Sequence, residues 1–209
     1  MRERKEKSLQ YELYNWLASM KNACVIKKCG VVSFTNEIYE ALVIFHEDSL
    51  MELSIEDKKT GETPFYLHFE ARDAKTAHDN FQAFFAFFCD RRPVKERLDV
   101  IAVKNRQPMK LLVSCTSGLT SSYFAYTMKN ALDKVGIEAT IDAVSFTEID
   151  KVQSEYDYIL LAPQIAYKLP EYRKKYRNRV MKVDSRDFAS CDVNRVINRV
   201  IRLGRVHVA

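Results

Sequence analysis

Lys110-Leu111-Leu112-Val113-Ser114-Cys115-Thr116-Ser117-Gly118-Leu119-Thr120-Ser121-Ser122 reads as an apolar strand that ends on a cysteine, a short polar loop, and the entry to a helix running from Tyr123 towards Val135. The first turn of a helix leaves backbone N–H groups without intrahelical partners, and the helix dipole adds partial positive charge there. A sulfur set at the mouth of such a ring is favoured as thiolate over thiol. The same ring suits a dianion. A cysteine in this place is able to accept a phosphoryl group and keep it cradled, whereas a cysteine that merely fills space needs no polar loop after it.

Working outward, the C-terminal half alternates strand and helix. Strands are expected at Lys110–Ser114, Ala139–Val144, Tyr158–Ala162 and Val180–Val183, and helices at Ser122–Val135, about Thr147–Ser154, Leu169–Tyr176 and Asp192–Leu203. Gly136 fits the left-handed stop after the first of these helices. Short apolar strands interleaved with helices mean a parallel sheet covered on both faces. The fold class is therefore α/β, with a four-stranded parallel sheet in this half. Ligands of such sheets sit beyond the carboxyl ends of the strands. Cys115, Pro163, Gln164, Asp184 and Ser185 all fall at such ends.

The N-terminal half reads as α+β. Leu9, Leu13, Trp16, Leu17 and Met20 repeat at helical spacing within Arg4–Met20. Three or four strands follow, near Ala23–Phe34, Ile38–His46, Leu50–Ile55 and Phe65–Phe69. Met51-Glu52-Leu53-Ser54-Ile55 alternates strictly, as a sheet with one wet face requires. Asp73 is placed to cap a helix through Asp90 that carries Ala77, Phe81, Phe84, Phe85 and Phe88 on one face. The Phe81–Phe88 cluster reads first as the core of this domain; the alternative for Phe87, on the flank, is contact with the second domain or with a second copy of the chain, a homodimer through the N-terminal domain. Arg91–Pro108 is rich in charge and bounded by prolines; it reads as a linker, although Leu98–Val103 has the look of a strand. The expected domains are 1–108, with the linker from about 91, and 109–209.

Composition narrows the function classes. Residues 1–108 carry 17 basic and 17 acidic side chains, while 109–209 carry 16 basic and 11 acidic, so the net charge of +5 belongs to the second half. That half is the one expected to meet an anion or an acidic partner. Five cysteines, at 24, 29, 89, 115 and 191, form no CxxC pair, which points to free thiols in a reducing, cytoplasmic setting. No apolar stretch approaches the roughly 20 residues that span a bilayer. The charged start Met1–Lys7 does not look like a cleavable leader.

Tyr158-Ile159-Leu160-Leu161-Ala162-Pro163-Gln164-Ile165-Ala166-Tyr167-Lys168-Leu169-Pro170-Glu171 resembles the core of the lactose/cellobiose-type IIB components of the bacterial sugar phosphotransferase system, where an apolar strand runs into Gly-Pro-Gln, a tyrosine and a helix. The stretch from Lys110 to Ser122 resembles that family's phosphorylation loop, and Val180-Met181-Lys182-Val183-Asp184 the strand before its last loop. The resemblance covers about residues 109–205; Leu119 replaces the usual Met, and Ala162 replaces Gly. It implies a fold related to that of the low-molecular-weight tyrosine phosphatases. It also implies that Cys115 takes a phosphoryl group from a histidine of a IIA partner and passes it to a sugar held by a membrane IIC partner. Backbone N–H groups of Thr116, Ser117, Gly118, Leu119, Thr120, Ser121 and Ser122 would hold the phosphate, with Pro163, Gln164, Tyr167 and Asp184 bordering the crevice. No metal or cofactor is implied.

The phosphatases themselves place an arginine six residues after the cysteine, to clamp phosphate. Here that position is Ser121, and no arginine lies between Cys115 and Lys168, so phosphate held rather than hydrolysed is the better reading. The basic run Lys168, Arg173, Lys174, Lys175, Arg177, Arg179, Lys182 reads first as a solvated face and second as a docking surface. Without aromatic or helix-turn-helix patterning it gives no ground for nucleic acid. His46, His68, His78 and His207 show no metal-ligand spacing. The extra N-terminal domain leaves a second class open: a regulatory protein that uses a IIB-like domain to sense phosphorylation.

Overall fold

Strict alternation of apolar and polar residues builds the first of two units. The computed structural model describes residues 9–21, 24–26, 30–90, 94–104 and 109–205, and the chain divides into Met1–Arg92 and Pro93–Ala209. In the first unit, helix α1 (Leu9–Ala18) precedes strands β1 (Cys24–Ile26), β2 (Val31–Thr35), β3 (Tyr39–Phe45), β4 (Leu50–Asp57) and β5 (Phe65–Glu70), then helix α2 (Ala74–Cys89). The expected strand at Ala23–Phe34 is two strands, so the antiparallel sheet has five, in the order β1-β2-β3-β4-β5. The beginning of the expected first helix, at 4–8, lies outside the described residues.

Val32, Phe34, Ala41, Val43, Met51, Leu53, Ile55, Phe65, Leu67 and Phe69 fill the buried face of this sheet. Asp73 caps α2 by accepting from Thr76 N–H at 2.7 Å. The helix buries Ala77, Phe81, Phe84 and Phe87, whereas Phe85 and Phe88 are half-buried. Phe87 therefore belongs to the core, with its ring 5.4 Å from Phe65 and 5.9 Å from Tyr39. The buried stripe follows Phe84 by three residues, not four, which turns Phe87 inward. A homodimer built on Phe87 has no support in this packing.

The second unit starts earlier than the linker expectation. Residues 94–99 are pinned to the last helix of the chain, and Val100–Lys104 is a short helix, α3, rather than a strand. Asp99 begins it, its carboxylate accepting from Ala102 N–H at 3.0 Å. Buried Asn198 accepts from Asp99 N–H at 2.9 Å and donates to Glu96 Oε1 at 2.7 Å and Arg97 O at 2.9 Å. Asn194 Nδ2 donates to Glu96 O at 2.9 Å, and Asp192 Oδ2 accepts from Glu96 N–H at 3.3 Å. These bonds make the segment a strap on the second unit.

The elements that follow are β6 (Met109–Cys115), α4 (Leu119–Asp133), β7 (Ala139–Ser145), α5 (Ile149–Val152), β8 (Tyr158–Leu161), α6 (Leu169–Tyr176), β9 (Val180–Lys182), α7 (Ser185–Ala189) and α8 (Val193–Arg205). The four strands are parallel in the order β7-β6-β8-β9. Leu112, Ile159 and Leu161 pack with Ile149 of α5 and Tyr172 of α6 on one face. Period-two alternation sends Leu111, Val113 and Cys115 to the other face, where α4 contacts β6, β7 and α8. Gly136 stops the chain after α4 with φ +69°. The short α7, not expected from the sequence, is anchored by Phe188 stacked on Phe124 at 4.9 Å.

Two outcomes are expected. Asn198→Ala removes three bonds to the strap; at about 1 kcal/mol each, unfolding free energy should fall by roughly 2–3 kcal/mol, with faster amide exchange at 96–99. Second, burial raises the Asp187 carboxyl from 3.8 to about 6, offset by Arg195, whose Nη1 lies 3.5 Å away, and by Arg199, and reinforced by Asp184 and Asp192. A carboxyl with a raised native pKa stabilises the fold when protonated, and that contribution is lost as pH rises from about 4 through about 6. Asp187→Asn should match wild type in chemical denaturation at pH 4 and exceed it at pH 8, by on the order of 2 kcal/mol.

Candidate functional site

Cys115 ends β6 between two parallel neighbours, opposite Ser145 of β7, while Ser114 before it pairs with Leu161 of β8. Its side chain is fully buried, at 0% exposure. The loop 116–118 folds over the sulfur and brings its donors inward. Gly118 makes this possible, with φ +85° in the left-handed region. Its N–H donates to Cys115 Sγ at 3.1 Å. Thr120 Oγ1 donates to the same sulfur at 3.6 Å, and Ser121 Oγ lies 3.2 Å from it.

Burial alone would raise the pKa of the Cys115 thiol. The hydroxyls of Ser121 and Thr120, with the backbone N–H groups of Ser121 and Ser117, outweigh burial, and the thiol sits below its ordinary value. Ser121 Oγ also donates to Gly118 O at 2.9 Å. One hydroxyl has one proton, so it serves two states. With a thiol, S–H donates to Ser121 Oγ, whose proton stays on Gly118 O; with a thiolate, the Ser121 proton turns to sulfur. Gly118 O loses little in that exchange, because Ser122 Oγ at 2.7 Å and Ser122 N–H at 3.0 Å also donate to it.

The residues singled out in the sequence do not all reach the sulfur. Gly118, Thr120 and Ser121 converge on it, and Ser117 does so through its backbone. Thr116 is held from behind, its carbonyl accepting from Ser145 Oγ at 2.9 Å. Leu119 is the first residue of α4, and the Ser122 hydroxyl is spent on Gly118 O. Pro163 and Gln164 are buried just beyond β8. Tyr167 is half-buried, its ring 6.0 Å from Lys168 Nζ. Asp184 follows β9, two strands from β6 and so about 10 Å away, and its carboxylate is bound by Arg199. Ser145 was missed by sequence reasoning, although the carboxyl end of β7 is where the sheet rule would direct a search. Among the described residues no group of three or more His, Cys, Asp or Glu side chains is arranged for a metal ion.

Over residues 110–199 the chain matches the family described as PTS system, Lactose/Cellobiose specific IIB subunit. The second unit carries a IIB-type domain. A curated relative, the PTS system oligo-beta-mannoside-specific EIIB component of Bacillus subtilis, is 26% identical over 97 residues, covering 45% of this chain and 94% of the relative. Two solved structures are similar in part. The cellobiose-specific phosphotransferase IIB component of Borrelia burgdorferi is 21% identical, with a TM-score of 0.41, over 47% of this chain and 93% of its own. The lactose-specific IIB component domain of Streptococcus pneumoniae is 16% identical, with a TM-score of 0.38, over 48% of this chain and 98% of its own. No helix among the described residues of this chain is long and apolar enough to cross a membrane.

A pair of alanine substitutions separates backbone strain from the role of the loop in the IIB-type domain. Gly118 and Gly136 both have positive φ, but an added Cβ meets Ser145 N at 3.4 Å at Gly118 and nothing within 4 Å at Gly136. Each change should cost about 1–2 kcal/mol in chemical denaturation from the left-handed backbone. Gly118→Ala alone should raise the thiol pKa of Cys115, read by thiolate absorbance against pH.

Proposed function

We propose that the second unit is a sugar-phosphotransferase IIB carrier in which Cys115 accepts a phosphoryl group. The donor is a phosphohistidine on a IIA protein, and the acceptor is a sugar bound by a membrane IIC protein at the cytoplasmic side. The single observation that supports it is the set of donors converging on Cys115 Sγ. Donors that favour a thiolate also suit the phosphoryl oxygens that follow it.

In the first transfer the thiolate attacks phosphorus, an S–P bond forms, the N–P bond of the phosphohistidine breaks, and the imidazole nitrogen keeps the electron pair and takes a proton from solvent water. In the second, a sugar hydroxyl attacks, S–P breaks, the thiolate is regenerated, and the hydroxyl proton leaves to a base on the partner. The 116–122 loop positions the group for in-line displacement. Because the sulfur is covered, each transfer requires the 116–118 loop to loosen over it.

A second reading rests on the first unit. The 97-residue match spans 94% of the curated relative, so the antiparallel domain is extra to a carrier. A regulatory protein would use Cys115 to sense phosphorylation and residues 1–92 to report it to another protein.

The experiment is incubation of the full-length protein with phosphoenolpyruvate, the general phosphotransferase proteins and a lactose/cellobiose-type IIA, followed by intact-mass and peptide analysis. One acid-labile phosphoryl group on Cys115, absent in Cys115→Ser, is the expected result. Labelling of Cys115→Ser at the wild-type rate would sink the assignment. A phosphocysteine that no sugar and IIC membrane preparation discharges would favour the sensor.

A further inference from the structure

Gln164 is a buried amide with nothing to bond. It is 4% exposed, and neither Oε1 nor Nε2 has a hydrogen-bond partner. An orphaned amide in a protein interior costs about 1–3 kcal/mol for each unmet group, so its retention needs a reason. Its place in the fold supplies one. Ala162 N–H donates to Ser114 O at 2.8 Å, and Ile165 N–H turns back to Ala162 O at 3.0 Å. The turn keeps Gln164 just beyond the carboxyl end of β8, two residues after Ala162, which is bonded to the β6 residue that precedes Cys115. Ser145 stands on the other side of Cys115, at the end of β7. The 116–118 loop and the first turn of α4 close one side of the sulfur, and the strand order puts the segment after β8, with Gln164, on the flank opposite Ser145.

We propose that Gln164 completes the oxyanion site, its amide N–H donating to an oxygen of the phosphoryl group carried by Cys115. The inference rests on the carrier reading above and adds a positioning residue to it. A neutral amide contributes a directed donor without the fixed positive charge of a guanidinium. It therefore steadies the group while leaving it transferable. Ser114 Oγ is also buried and without a partner, so the competing role for Gln164 is structural, an amide that shares an internal water with Ser114.

The test uses inorganic phosphate as probe on the full-length Cys115→Ser protein, whose hydroxyl carries no charge to repel the ion. The side-chain amide signals of Gln164 are identified by their loss in Gln164→Leu and followed in 1H–15N spectra. The expected result is that these signals and the backbone signals of 117–122 shift together with one affinity. Gln164→Leu should weaken that affinity roughly 5- to 30-fold while melting no lower than its parent. Loop signals that move while Gln164 stays fixed would overturn the role of Gln164 and leave the cradle standing. If neither moves, the cradle and this proposal fall together. A Gln164→Leu protein that melts lower yet binds phosphate as before assigns the amide to structure and overturns the proposal.

Discussion

The hydrogen bonds that meet at Cys115 Sγ are the constraint on which the second unit depends. A thiol at 0% exposure would ordinarily be held neutral by desolvation. Here the hydroxyls of Ser121 and Thr120, with the backbone N–H groups of Ser121 and Ser117, reverse that preference. They can do so because Gly118 takes φ +85° and because Ser145 fixes the Thr116 carbonyl from the neighbouring strand. The parallel order β7-β6-β8-β9 brings the 116–118 loop, Ser145 and Gln164 to one edge of the sheet, though far apart in sequence. Ser121 adds a response, since its one proton serves Gly118 O or the sulfur according to the charge on sulfur.

Local chemistry made part of this legible. Asp73 ahead of an apolar helical stripe, Gly136 after one, and Leu169–Tyr176 at helical spacing all lie where propensity and capping place them. The apolar run into Cys115 and the polar loop after it sufficed to locate the candidate site. Long-range pairing was not legible. The strap at 94–104 reads as a linker because its partners, Asp192, Asn194 and Asn198, lie about a hundred residues on. Ser145 has no local mark, and its role exists only because β7 pairs with β6. Phe87 was left between the core and an outer contact because a phenylalanine-rich helix offers two nearly equal faces, and only the sheet beneath it chooses.

The first unit is a self-contained antiparallel domain whose aromatic core is closed by α2. Asn36 ties its β2–β3 turn to the end of that helix by donating to Phe88 O at 2.8 Å. In the second unit, Glu96 on the strap meets Arg195 at 3.4 Å and Arg202 at 3.3 Å. The same α8 binds Asp184, beyond β9, through Arg199. The strap and the segment beyond β9 thus share one helix. Burial pushes the Asp187 carboxyl up to about 6, so that corner of the unit changes charge in mildly acidic solution.

The ionisation of Cys115 decides whether the donors around its sulfur hold a thiolate. The Cβ carbon shift of Cys115, followed against pH in the unphosphorylated full-length protein and in Ser121→Ala, reports the charge on this sulfur alone. The account predicts a wild-type midpoint below that of an ordinary thiol and a higher one in Ser121→Ala. A wild-type midpoint at or above the ordinary value, unmoved by the loss of the Ser121 hydroxyl, would contradict it.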